Sequence, residues 1–147
     1  MSAMKRLFQV MADKKASDIF MSVGAPINIK INGVAVPVNQ AIMTPESVRQ
    51  LLYEVLNERQ IREFEEDMEL NTAISVEGVG SFRISAFRQK GAPAVVVRYI
   101  PNVIPHIDSL NLPEAVKDVV MQKRGLILMV GATGSGKSTA LAAMLDY

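Results

Sequence analysis

The chain has 147 residues, 49% hydrophobic and 21% charged, which are the proportions of a folded globular protein and argue against a disordered one. Sixteen basic against fifteen acidic side chains leave a formal net charge of +1, so the overall balance gives no reason to expect nucleic acid or an anionic membrane surface as a partner. With no cysteine, a disulfide framework, a thiolate metal site and a cysteine nucleophile are all excluded, and a reducing cytoplasm is the compartment this fits.

Met4, Leu7, Phe8 and Met11 recur at helical spacing, predicting a first helix that ends near Lys14 with one apolar, core-facing stripe. Lys5 and Arg6 stand near the start. Asp13, Lys14 and Lys15 interrupt the apolar run that a signal peptide needs, so this segment is expected to stay in the mature protein. Ile27, Ile29 and Ile31 alternate with polar residues, Asn32-Gly33 supplies a type I′ turn, and Val34, Val36 and Val38 alternate again, which predicts a β-hairpin. Thr44 caps and Pro45 opens a second helix with Val48, Leu51, Leu52, Val55 and Leu56 on one face. A charged helix follows over 58–67, anchored by Ile61 and Phe64. Its acidic side chains Glu63, Glu65, Glu66 and Asp67 point in different directions and form a solvated face, not a metal site.

From Leu70 the period changes to two. Ile74 and Val76 precede a Gly78-Val79-Gly80 turn, and then Phe82, Ile84 and Ala86 share one strand face while Arg83, Ser85 and Phe87 share the other. A further strand is expected over 94–100. Strands joined by short turns, with the helices in a block, make residues 1–100 an α+β domain around an antiparallel sheet. Pro101, Pro105 and Pro113 break the pattern, so 101–113 is expected to be an extended interdomain linker, in which the lone His106 has no assigned role. Pro113 suits the first position of another helix, with Val116, Val119 and Val120 buried and Gly125 as a C-cap. Leu126 to Val130, continuously apolar, predicts a parallel-sheet strand covered on both faces. A second domain, 114–147, starts here; with about 35 residues it falls below the size that folds alone and is expected to be incomplete. The apolar stretches are far shorter than the roughly 20 residues that span a bilayer, so no transmembrane helix is expected.

Directly after that strand, Gly131-Ala132-Thr133-Gly134-Ser135-Gly136-Lys137-Ser138 satisfies the G-x-x-x-x-G-K-[ST] pattern, and a helix is predicted directly after it. The glycines let backbone N–H groups turn inward around a β-phosphate, and the N-terminus of the following helix adds partial positive charge. In this pattern Lys137 reaches the β- and γ-phosphates, the Ser138 hydroxyl holds Mg²⁺, and Thr139 closes the set that binds ATP. The Asn-Lys-x-Asp base-reading signature of small GTPases is missing from these residues.

The stretch from Arg124 to Tyr147 resembles the nucleotide-binding segment of the PilT/PilU-type pilus-retraction motors of the secretion ATPase superfamily. The Gly-Ala-Thr-Gly form of the loop and Lys123-Arg124-Gly125 before it lean toward the PilU branch. Ala16-Ser-Asp-Ile-Phe-Met-Ser-Val-Gly-Ala-Pro26 is similar to that family's opening strand, and Ser81-Phe-Arg-Ile-Ser-Ala-Phe-Arg-Gln89 to its Phe-Arg-x-x-x-Phe strand. The resemblance implies a PAS-like N-terminal domain hinged to a RecA-like P-loop ATPase domain, with six copies in a homo-hexameric ring. It further implies work at the cytoplasmic face of the inner membrane, without membrane insertion, alongside a platform protein and a partner retraction ATPase. It also implies that Arg83 and Arg98 reach the phosphates as catalytic arginines, although Tyr99 stands where many relatives carry a second basic residue. Two alternatives stay open: a pilus-assembly or type II secretion ATPase of the same superfamily, and, for these residues alone, a catalytically inactive module that docks neighbouring subunits.

Overall fold

The computed structural model describes residues 2–132 and 135–147. The chain divides into two compact units, Met1–Asn102 and Val103–Tyr147.

In the first unit, helix α1 (Ala3–Asp13) starts at Ser2, whose hydroxyl accepts the Lys5 N–H, and buries Met4, Phe8 and Met11. The Glu54 carboxylate accepts the Met4 N–H at 2.8 Å, placing an anion at the positive end of the helix. Strands β1 (Asp18–Ser22), β2 (Asn28–Ile31) and β3 (Val34–Pro37) follow. Between β2 and β3, Asn32 and Gly33 have φ of 49° and 85°, the two left-handed residues of the expected I′ turn. Thr44 then opens α2 (Pro45–Tyr53) through a reciprocal capping box with Ser47. Thr44→Ala is therefore expected to cost about 1 kcal/mol in urea denaturation, within the range measured for lost N-caps. Helix α3 (Glu58–Asp67) is capped by Asn57 with Gln60 and buries Phe64.

Strands β4 (Glu69–Val76), β5 (Gly80–Gln89) and β6 (Ala92–Ile100) complete a six-stranded antiparallel sheet in the order β3-β2-β1-β6-β5-β4. Ile19, Met21, Ile29, Leu70, Phe82, Ile84, Val95 and Val97 are buried together with residues of the three helices in one hydrophobic core. At its centre the Phe8 and Phe82 rings stack 4.1 Å apart. The alternate residues of each strand form the opposite face of the sheet.

A polar cluster ties α2, α3 and β5 together. Glu65 accepts from the Tyr53 hydroxyl and, at 2.5 Å, from Arg88. Desolvation, then the hydrogen bond to Glu65, pushes the Tyr53 hydroxyl up to about 12 from 10.0. A raised folded value means that this contribution to stability is fully present below pH 10 and is lost as pH rises through about 12. Alkaline denaturation should thus steepen between those two values, and Tyr53→Phe should flatten that limb of the pH–stability curve.

In the second unit a 3₁₀ turn (Ile107–Leu110) precedes α4 (Ala115–Val120) and α5 (Lys137–Asp146). Three sequence expectations are corrected here. Residues 107–110 are wound rather than extended, because Ile107 is buried with Ala143 and Met144 of α5. Helix α4 begins at Ala115 and ends with Met121 as its C-cap, not Gly125, and Val119 is 45% exposed. Residues 126–130 form no strand, and Leu126, Leu128 and Val130 are 82%, 76% and 90% exposed. A parallel strand needs hydrogen-bonded neighbours at its sides and helices on its faces, and no described residue pairs with this segment.

Candidate functional site

Two groups of candidate residues lie in different compact units. In the second unit, the loop after residue 130 closes on itself: the Ser135 N–H donates to the Ala132 carbonyl at 3.2 Å, and a Cβ on Gly131 would come 2.9 Å from Ser135 Oγ. Gly136, at φ 88°, is the N-cap of α5 and offers no side-chain cap, so the first-turn N–H groups of that helix have no partner supplied by the cap. The Lys137 ammonium donates to the Gly131 carbonyl at 2.7 Å and the Ala132 carbonyl at 2.6 Å, and lies 3.5 Å from Ser135 Oγ. Ser138 and Thr139 are exposed on the first turn of α5. Thr133 and Gly134, expected to complete the loop, lie outside the described residues.

A cavity of about 480 Å³ opens beside this loop. Gly131, Ser135, Gly136, Lys137 and Thr139 line its polar side, and Leu110, Leu112, Met129, Val130 and Ala140 its apolar side. The leucine wall, contributed by the segment expected to be a linker, has no signature in the sequence. The donor set fits a polyphosphate: the Lys137 ammonium, the Ser135 and Thr139 hydroxyls, an uncapped helix N-terminus and a glycine held tight against the loop. For Mg²⁺ the structure offers the Ser138 hydroxyl, and the described residues hold no cluster of three or more His, Asp or Glu side chains around it.

In the first unit, Arg83 on β5 stands directly opposite Arg98 on β6, and Arg98 directly opposite Asp18 on β1. All three are on the sheet face away from the core, since their strand neighbours Phe82, Ile84, Val97 and Ile19 are buried. The Arg98 side chain is 67% exposed, and its Nε donates to Asp18 Oδ1 at 3.1 Å. Arg83 is exposed, with no ion pair among the described residues. The structure therefore brings the two predicted arginines together as cross-strand neighbours. The Asp18 contact was not foreseen. Strand alternation puts Asp18 on the face opposite Ile19 and Met21, but pairing of β1 with β6 depends on residues 80 positions away.

The Type II/IV secretion system protein family matches residues 1–147, and the chain belongs to that family. It is 45% identical over 143 residues to the type IV pilus ATPase PilU of Pseudomonas aeruginosa, covering 97% of this chain and 37% of that protein. With the type IV pilus retraction ATPase PilT of the same organism it shares 40% identity over 136 residues, 92% of this chain and 40% of the relative. A crystal structure of the pilus retraction motor PilT with bound ADP superposes with a TM-score of 0.83 at 34% identity, covering 100% of this chain and 43% of that one. The ATPase DotB of Legionella pneumophila superposes with a TM-score of 0.82 at 25% identity, over 97% of this chain and 41% of DotB. The chain thus spans about two fifths of the length of the relatives it matches. The α+β fold built on an antiparallel sheet is that of the N-terminal domain of PilT-like ATPases.

Proposed function

We propose that this chain serves an ATP-driven motor of type IV pilus retraction, binding the nucleotide phosphates at residues 131–139. The observation that carries this is the Lys137 ammonium, gathered onto two loop carbonyls at the uncapped start of α5, where a positive charge suits an anion and not the helix. Bound ATP with Mg²⁺ supplies the phosphoryl group whose hydrolysis drives such motors. Lys137 neutralises phosphate charge, and Ser138 offers its hydroxyl to the cation. Gly131, Ala132, Thr133, Gly134, Ser135 and Gly136, together with Thr139, make up the set that orients the phosphate chain.

Arg83 and Arg98 act in this reading as guanidinium donors to phosphate oxygens, for which the fixed fork of arginine is suited. The hinge that lets the two parts move falls within 101–113. Its mobile portion is 101–105, because Ile107 is already anchored against α5. Further elements are carried by the likeness to PilT and PilU alone: six copies in a ring, an inner-membrane platform protein as partner, and action at the cytoplasmic side. Among the described residues no helix is long and apolar enough to cross a membrane.

Titration of the chain with a fluorescent ATP analogue and Mg²⁺, followed by competition, tests the proposal. ATP and inorganic tripolyphosphate should displace the probe, while adenosine should not, because the loop grips phosphate and leaves the base to other contacts. Displacement by adenosine as effective as by ATP would refute the phosphate grip.

A further inference from the structure

Asp18 is the buried charged residue of this chain among the described residues, with 6% of its surface exposed. Taking a carboxylate out of water is costly unless partners compensate it. Its partners are specific. Oδ2 accepts from the Ser17 hydroxyl at 2.8 Å, and Oδ1 accepts from Arg98 Nε at 3.1 Å. In the sheet register Asp18 lies between Lys30 on β2 and Arg98 on β6, and Arg98 lies between Asp18 and Arg83. The face therefore carries a row of Lys30, Asp18, Arg98 and Arg83 on four adjacent strands. Two like charges directly opposite one another, as Arg83 and Arg98 are, disfavour the sheet.

The geometry of the Asp18 contact is informative. A carboxylate that only neutralises an arginine can engage it in a bidentate pair through the η nitrogens. Here it holds Nε alone, at the root of the guanidinium, and the side chain remains 67% exposed. Among the described residues no η nitrogen of Arg98 donates a hydrogen bond, and its cross-strand neighbour is Arg83. An arginine tethered at Nε has lost much of its rotamer freedom before any ligand arrives, so less of that freedom remains to be lost on binding.

We propose that Asp18 is a positioning residue: by fixing Arg98 at Nε it holds the guanidinium beside Arg83, so that the two form a preorganised receptor for polyphosphate oxygens. This rests on the nucleotide-dependent function proposed above. It assigns Asp18 no contact with the ligand itself.

The test is a titration of inorganic tripolyphosphate into the chain carrying isotope-labelled arginine, read at the Arg83 and Arg98 Nε–H signals, for the unsubstituted chain, Asp18→Ala and Asp18→Asn. Asparagine keeps an oxygen where Oδ1 stands but carries no charge. Positioning predicts that Asp18→Ala weakens the affinity read at those signals about threefold to tenfold. Asp18→Asn should restore it to within about twofold, because the tether is kept. If Asp18 were only a nearby negative charge, both variants would bind tripolyphosphate more tightly, and the proposal would be overturned. Unchanged affinity in Asp18→Ala would overturn it equally. Should that variant fail to fold, Asp18→Val, which suits a strand and offers no acceptor to Arg98, takes its place and the same outcomes decide. If the arginine signals of the unsubstituted chain ignore tripolyphosphate while the ATP analogue still binds, the arginine receptor and the Asp18 role fall and the nucleotide site stands. If neither ligand binds, the function proposed above falls as well.

Discussion

Lys137→Ala is expected to weaken binding of the ATP analogue by about tenfold to a hundredfold, the loss that follows from removing a charge-assisted hydrogen bond worth ~1.5–3 kcal/mol. The substitution takes away the ammonium that the structure places over the Gly131 and Ala132 carbonyls. It should do so at almost no cost to folding. A cation on the first residue of α5 opposes the helix dipole, an interaction of about 0.3–1 kcal/mol in the wrong direction, so alanine there is neutral or slightly favourable for the helix. The combination separates a binding residue from a structural one: affinity falls while thermal stability holds or rises. Lys137→Arg should restore only part of the affinity, because a planar fork does not reproduce the compact charge that the loop encloses. Equal affinity in all three proteins would mean that the loop does not grip phosphate through this side chain.

The local grammar of this chain was legible wherever neighbouring residues decide the outcome. The Asn32-Gly33 turn, the Thr44-Pro45 helix start and the alternation of Phe82, Ile84 and Ala86 with Arg83 and Ser85 all follow from dihedral freedom, capping and pleat. What could not be read is pairing at a distance. Strand β1 pairs with β2, near in sequence, and also with β6, which follows it by some 80 positions, and no local pattern announces that neighbour. The Asp18–Arg98 contact is a consequence of the same pairing. In the second unit the run 126–130 is marked only by its apolar composition, which says that a segment can be buried and no more. Whether it becomes a strand depends on partners, which the described residues do not provide.

At the candidate site the order of legibility is similar. The spacing of glycines, lysine and serine in 131–138 is a local pattern, and α5 starts at Lys137 where that pattern requires a helix. The fold of the lysine back onto the loop carbonyls, and the Leu110 and Leu112 wall, depend on three-dimensional closure and carry no spacing of their own. The arginines are intermediate. Alternation places each on a sheet face, and only the β5–β6 register shows that they stand opposite each other.

That register also permits a sharp comparison between consecutive residues. Phe82→Ala is expected to cost about 3–5 kcal/mol, since it empties a fully buried position and strands the Phe8 ring stacked on it at 4.1 Å. Against a total of about 5–15 kcal/mol for a domain, that loss leaves the first unit marginal at 25 °C. Arg83→Ala, one residue along and on the other face, removes an exposed cation opposite Arg98 and is expected to change stability by no more than about 0.5 kcal/mol, with relief of like-charge repulsion favouring the variant. Urea denaturation followed at the amide signals of β5 and β6 reads both. A large cost at Arg83 would mean that its side chain supports the fold and is not held in reserve for a ligand. A small cost at Phe82 would mean that the aromatic stack is not what fastens α1 to the sheet.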